Sequence, residues 1–187
     1  VDRSSTLYSG TIGAGQGNTL FGKNIFLGKD AGGGATSVDH SIYLGHQSGL
    51  NATAASNSIF LGTDAGLGST AAFNSHFIGL TAGSNAPYAN NSNFIGVGAG
   101  FSADYAQASN FIGRDAGSGA DAASFSNFFG SNAGAGAVNA GQAVFIGSEA
   151  GRDATNSKNS IFIGTRAGRG PRTCRRHPHS RGLVVGP

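Results

Sequence analysis

Asn57-Ser58-Ile59-Phe60-Leu61-Gly62, followed three residues later by Ala65-Gly66, returns along the chain every seventeen residues. Its first glycine recurs at Gly28, Gly45, Gly62, Gly79, Gly96, Gly113, Gly130, Gly147 and Gly164. Its second recurs at Gly32, Gly49, Gly66, Gly83, Gly100, Gly117, Gly134, Gly151 and Gly168. Nine copies without insertion or deletion are the signature of stacked repeats, in which each unit leans on its neighbours. Residues 23–170 form this repeat body.

The columns of the repeat say more than its rows. Phe26, Phe60, Phe77, Phe94, Phe111, Phe128, Phe145 and Phe162 share one position, with Tyr43 as the exception. The next position holds Leu27, Leu44, Leu61, Ile78, Ile95, Ile112, Ile146 and Ile163, with Phe129 as the exception. Serine stands two residues before the aromatic in seven of nine copies. A short β-branched and aromatic run bounded by Gly, Ser and Asn reads as a strand. The predicted fold is all-β, a β-solenoid of nine 17-residue coils. At about 4.8 Å per coil it makes a rod of roughly 43 Å.

Successive residues of a strand face opposite ways, so the aromatic and Ile/Leu columns lie on opposite sides. Both columns are apolar, and a strand apolar on both faces must be covered on both. A coil of seventeen residues has one interior and shelters one column. Nine rings at roughly 1.5–3 kcal/mol each are too costly to leave in water, and self-association along the rod covers the remainder. Pairs such as Ala52/Ala55 and Ala103/Ala106 suggest a thin second wall, packed against the strand or against a neighbouring chain. In-register stacking sets each side chain over its own copy, so Asn93, Asn110 and Asn127 are expected to form an amide ladder. The glycines are expected at turns that need positive φ.

Composition bounds the partners. Only 11% of the 187 residues are charged, 33 are glycine, and no run of eighteen apolar residues occurs. The net charge of +3 is a tail effect. Residues 165–187 hold six arginines and no acid, whereas residues 1–164 hold six bases and nine acids. The repeat body is mildly acidic and lacks the basic patch that nucleic-acid binding requires. A single cysteine, Cys174, excludes a disulfide framework within the chain.

Residues 1–22 read as an irregular lead-in or cap, with Leu20-Phe21-Gly22 echoing the repeat out of register. The start at Val1, without an initiator Met or a signal peptide, reads as a piece of something longer. Residues 171–187 break the columns and carry three of the four prolines. They read either as a basic irregular tail or as translation out of frame.

The pattern Asn-Ser-Ile-Phe-Leu-Gly-x-x-Ala-Gly, best seen at 57–66 and 159–168, resembles the head repeats of YadA-like trimeric autotransporter adhesins. It is also similar to repeats of phage tail-fibre-like and bacterial surface proteins. The resemblance covers residues 23–170, with Phe where the adhesin repeat has Ala and with a longer repeat. It implies a left-handed β-roll, a homotrimer around one axis, and an extracellular place on a cell surface or virion. It further implies a shaft or adhesive head that engages a host-surface protein or a glycan.

Chemistry-bearing motifs are sparse. Asp30, Asp64 and Asp115 follow the first glycine in the manner of calcium-binding β-rolls, but other copies place Gln47, Thr81, Gly98, Asn132, Glu149 and Arg166 there. Turn-forming Asp is the plainer reading. Cys174, His177 and His179 could ligate a metal but lack a fourth partner. His40, His46 and His76 fall in different columns, and no nucleophile–base set is discernible. No catalytic residue, cofactor or metal is expected, and the chain reads as a non-enzyme. The alternative is a carbohydrate- or ice-binding solenoid, although the column Thr36, Thr53, Thr70, Pro87, Asp104, Asp121, Val138, Thr155 is too irregular for an ice lattice.

Overall fold

Each repeat unit contributes one strand of three residues, because glycine and turn residues confine the extended segment on either side. The computed structural model describes residues 7–9, 14–15, 23–170 and 183–185. The repeat strands are β2 (Ile25–Leu27), β3 (Ile42–Leu44), β4 (Ile59–Leu61), β5 (His76–Ile78), β6 (Asn93–Ile95), β7 (Asn110–Ile112), β8 (Asn127–Phe129), β9 (Val144–Ile146) and β10 (Ile161–Ile163). With β1 (Leu7–Ser9) and β11 (Leu183–Val185) at the ends, they form one parallel sheet in chain order. Phe60 pairs with Phe77, Phe77 with Phe94 and Phe94 with Phe111, so the seventeen-residue period is the ladder register. The chain is a β-solenoid.

After the strand the backbone turns sharply at the first glycine. At Gly62, φ is +134°, and a Cβ would lie 2.5 Å from the carbonyl oxygen of Gly79 in the next coil. Three overlapping turns follow, with Ala65 N–H donating to Gly62 O, Leu67 N–H to Asp64 O and Ser69 N–H to Gly66 O. Asp64, Gly66 and Gly68 each take positive φ at the third position of a turn, the type II pattern. Alternate residues bond to the coils on either side, as when Gly66 N–H donates to Ala82 O and Gly68 N–H to Leu50 O. The turns are thereby stacked as strictly as the strands.

The aromatic column is the interior. All nine rings are buried, and neighbouring centroids are 4.6–5.0 Å apart in near-parallel stacks. The inward positions of the remaining walls are small. Ala65, Ala82 and Ala99 form one buried column, Ala86 and Ala103 another, and Ala55, Ala72 and Ala89 a third. The recurrent alanine pairs therefore pack inside their own chain, opposite the rings. The second glycine closes the space, since a Cβ on Gly100 would enter the Phe94 ring. The core is one phenyl ring wide.

The serine before the strand is buried, and it satisfies the backbone at that corner. Ser75 N–H donates to Ser58 Oγ at 3.2 Å, and Ser58 Oγ donates to Ala72 O at 2.7 Å. The same pair of bonds recurs at Ser75, Ser92, Ser109 and Ser126. Buried backbone groups need such partners, which explains why the column holds serine. Asn24 substitutes with its amide, accepting from Ser41 N–H at 2.9 Å.

Both ends depart from the period. β1 pairs with β2 as Leu7↔Ile25, eighteen residues apart. Leu183–Val185, inside the stretch read as an irregular tail, pairs with β10. The reason is physical: the last coil presents a free strand edge, and these are the tail's only consecutive apolar residues. The lead-in motif Leu20-Phe21-Gly22 lies outside the described residues.

Two outcomes follow from this interior. Gly100→Ala should lower stability by about 2–5 kcal/mol, from a left-handed residue with a side chain plus overpacking against a ring held on both faces. Gly119→Ala has the same sign of φ but nothing within 4 Å of its Cβ, and should cost only about 1–2 kcal/mol. Urea melts of the two variants measure the difference, and equal losses would contradict a ring-filled core. The second outcome concerns Tyr43, whose hydroxyl donates to Ala55 O at 3.2 Å. Burial pushes its phenol well above the ordinary value, and the Ser41 hydroxyl offsets this only in part. The folded chain thus keeps a proton that the unfolded chain releases near pH 10. Stability tied to that proton is full below about pH 10 and lost above it. Tyr43→Phe should flatten the alkaline limb of a stability–pH profile. At pH 7 it should cost under about 1 kcal/mol, because Ala55 O still accepts from Ser41 Oγ.

Candidate functional surface

The outward side of the strands is a regular surface that runs the length of the repeat body. With the rings inside, the residues before and after each ring face out together. One outward column runs Ile25, Ile42, Ile59, His76, Asn93, Asn110, Asn127, Val144, Ile161. The other runs Leu27, Leu44, Leu61, Ile78, Ile95, Ile112, Phe129, Ile146, Ile163. Stacking covers the flanks of these side chains and leaves their tips bare; Leu27, Ile112 and Ile146 are each about 40% exposed (43%, 38% and 40%). None of the eighteen positions carries a formal charge.

The middle of the first column is polar and internally bonded. His76 Nδ1 meets Asn93 Oδ1 at 2.7 Å. Asn93 Nδ2 donates to Asn110 Oδ1, and Asn110 Nδ2 to Asn127 Oδ1, each at 2.8 Å. Since Asn93 turns its oxygen to the ring, His76 Nδ1 is the donor of that pair. The structure thus brings Asn93, Asn110 and Asn127 together as one ladder. In the coils of His76 and Asn93 the residues just past the first glycine, Leu80 and Val97, are also apolar and each 48% exposed.

The other candidates do not converge. Asp30, Asp64 and Asp115 all take positive φ in the first turn, in separate coils. The residues at the same position in the other copies adopt the same φ, which makes the column a turn requirement. One oxygen of Asp64 is buried without a hydrogen-bond partner, and His46 Nδ1 is 4.0 Å from it. Among the described residues no three His, Cys, Asp or Glu side chains come together as a metal site would require. His40 pairs with Asp39 at 2.9 Å, His46 lies by Asp64, and His76 heads the amide ladder. Cys174, His177 and His179 lie outside the described residues. No helix among the described residues is long and apolar enough to cross a membrane.

Two features went unread in the sequence. Tyr88 and Tyr105 stack at 5.0 Å on a different edge, and each is about half exposed. Their spacing of seventeen was the available signal. Glu149 gathers Arg166 at 3.2 Å, Arg152 at 3.7 Å and Arg169, of which Arg166 lies one period on. No protein-family model matches the sequence, and no curated protein matches it.

Proposed function

We propose that the chain is a non-enzymatic structural segment of an extracellular fibre, a shaft or adhesive head that self-associates through the outward strand wall. The observation that carries this reading is the charge-free wall along the whole repeat body, apolar except for the run from His76 to Asn127 in one of its columns. Its footprint of roughly 43 Å by 10 Å, on the order of 400 Å², is comparable to the largest apolar patch of an ordinary monomer, which is often functional; what singles it out is its regular pitch and lack of charge. A second copy is the fitting occupant because it offers the same pitch, the same apolarity and no charge to desolvate. The trimer is the assembly suggested by the resemblance to adhesin head repeats, and three walls turned to one axis would shelter one another. The work of such a segment is mechanical: it holds a tip away from a surface and repeats its side faces for multivalent attachment.

A second reading, a carbohydrate-binding module, is favoured by the stacked and exposed pair Tyr88 and Tyr105. In that case Tyr88→Ala and Tyr105→Ala would abolish retention on glycans that the native chain binds.

The self-association reading is tested by placing charge on the wall. Ile95→Glu combined with Ile112→Glu should reduce the mass in solution to that of a single chain, 18.6 kDa, with β circular dichroism retained. Thr70→Asp, in a column that already holds Asp104 and Asp121, should leave the assembly intact. An unchanged mass in the wall variant, or a native chain that is itself monomeric, overturns the proposal.

A further inference from the structure

We infer that the polar run His76–Asn93–Asn110–Asn127 sets the axial register in which copies of this chain associate. The inference rests on the proposed self-association through the wall and adds what fixes its alignment. A surface that repeats every coil is degenerate: a partner can slide by one coil, about 4.8 Å, and meet the same Leu and Ile column again. The Leu27-to-Ile163 column offers almost nothing to resist such a slip. The neighbouring column does, because its four polar members interrupt an otherwise aliphatic series, with Ile59 before them and Val144 after.

The ladder bonds leave valences unused. An amide has two N–H groups and an oxygen with two lone pairs. Asn93 and Asn110 each spend one N–H and one oxygen contact along the ladder. Asn127 accepts from Asn110, and the next side chain in its column, Val144, has no acceptor. Each of these amides is half-buried in the single chain, so a partner closing over the wall would cut its spare groups off from water. Only the polar run of a second copy can replace that water along the whole ladder. Any other offset sets an amide or the imidazole against Ile59, Val144 or their counterparts. A buried polar group without a partner is disfavoured, and a polar residue in an apolar seam is an established way to select register. Whether the copies run parallel or antiparallel, a single offset lays run against run.

The test reads axial alignment directly, in the full chain with Cys174→Ser and one nitroxide label at Lys158→Cys, away from the wall. Electron–electron distance measurements on the native wall should give one narrow distance band. In Asn93→Ile/Asn110→Ile/Asn127→Ile the assembly should persist, and the band should split into several that correspond to slips by multiples of about 4.8 Å. An equally narrow band in this variant overturns the inference while leaving self-association standing. A monomeric native chain overturns both. Should the triple variant fail to fold, Ile59→Asn/Asn127→Val moves the polar run by one coil and keeps its composition. Mixed with labelled native chains, it should shift their relative position by one coil, and no shift overturns the inference.

Discussion

The contact on which the molecule depends is that between each phenyl ring and the bare α-carbon of the glycine six residues later. Phe60 lies against Gly66 and Phe94 against Gly100, where a methyl group would occupy the same space as the ring. Because that glycine has no side chain, the turn folds back over the ring, and the coil closes around one phenyl group. The rings then stack along the axis at 4.6–5.0 Å, close to the strand spacing, so ring contact and backbone hydrogen bonding share one pitch. Stacked rings contribute beyond the area they bury. Alanine on the facing walls and serine at the corner are the sizes that fit beside them.

A core so narrow has a consequence outside. The strand is three residues long and only its middle residue points in, so its two neighbours must point out. Ile59 and Leu61 flank Phe60 as Ile161 and Ile163 flank Phe162, and among the described residues no element covers either pair. The aliphatic wall is therefore not an accident of sequence drift but a second apolar layer carried through nine repeats. Its polar interruption at His76–Asn127 is just as regular, with each side chain bonded to the one above. The fold explains how the ladder is built; its place within an apolar strip is what the association reading explains.

Much of this was legible from columns. The strand at Ile59-Phe60-Leu61, the period and the stacking of Asn93 on Asn110 all follow from spacing alone. Which side of the strand faces in did not follow, because the Phe and Ile/Leu columns are both apolar. The deciding clue was steric: Gly66 is needed only if Phe60 lies beneath it. Positive φ at Asp64, Asn57 and Asn91 could be read from residue type. At Ala54, Tyr105 and Phe125 it could not, since there the residue conforms to a backbone imposed by the coils on either side. The strand Leu183–Val185 was hidden because it pairs with Ile161–Ile163 at a separation of 22 residues (183 − 161), off the seventeen-residue period. Of the surface features, the Tyr88–Tyr105 stack was readable from its spacing, whereas the arginines around Glu149 fall in two columns, Arg166 one period from Glu149 and Arg169 one period from Arg152, and it takes the turn that joins these columns to bring all three to one carboxylate.

The assignment of inside and outside is tested most directly by hydroxyl-radical footprinting of the native protein, read residue by residue by mass spectrometry. The account predicts that Phe60, Phe77, Phe94 and Phe111 resist oxidation at every protein concentration, while the exposed Phe73 and Phe125 are labelled. Leu61, Ile78, Ile95 and Ile112 should be labelled on dilution and become protected as concentration rises. Labelling of Phe94 together with concentration-independent protection of Ile95 would mean that the strand faces the other way, and would contradict the account at its root.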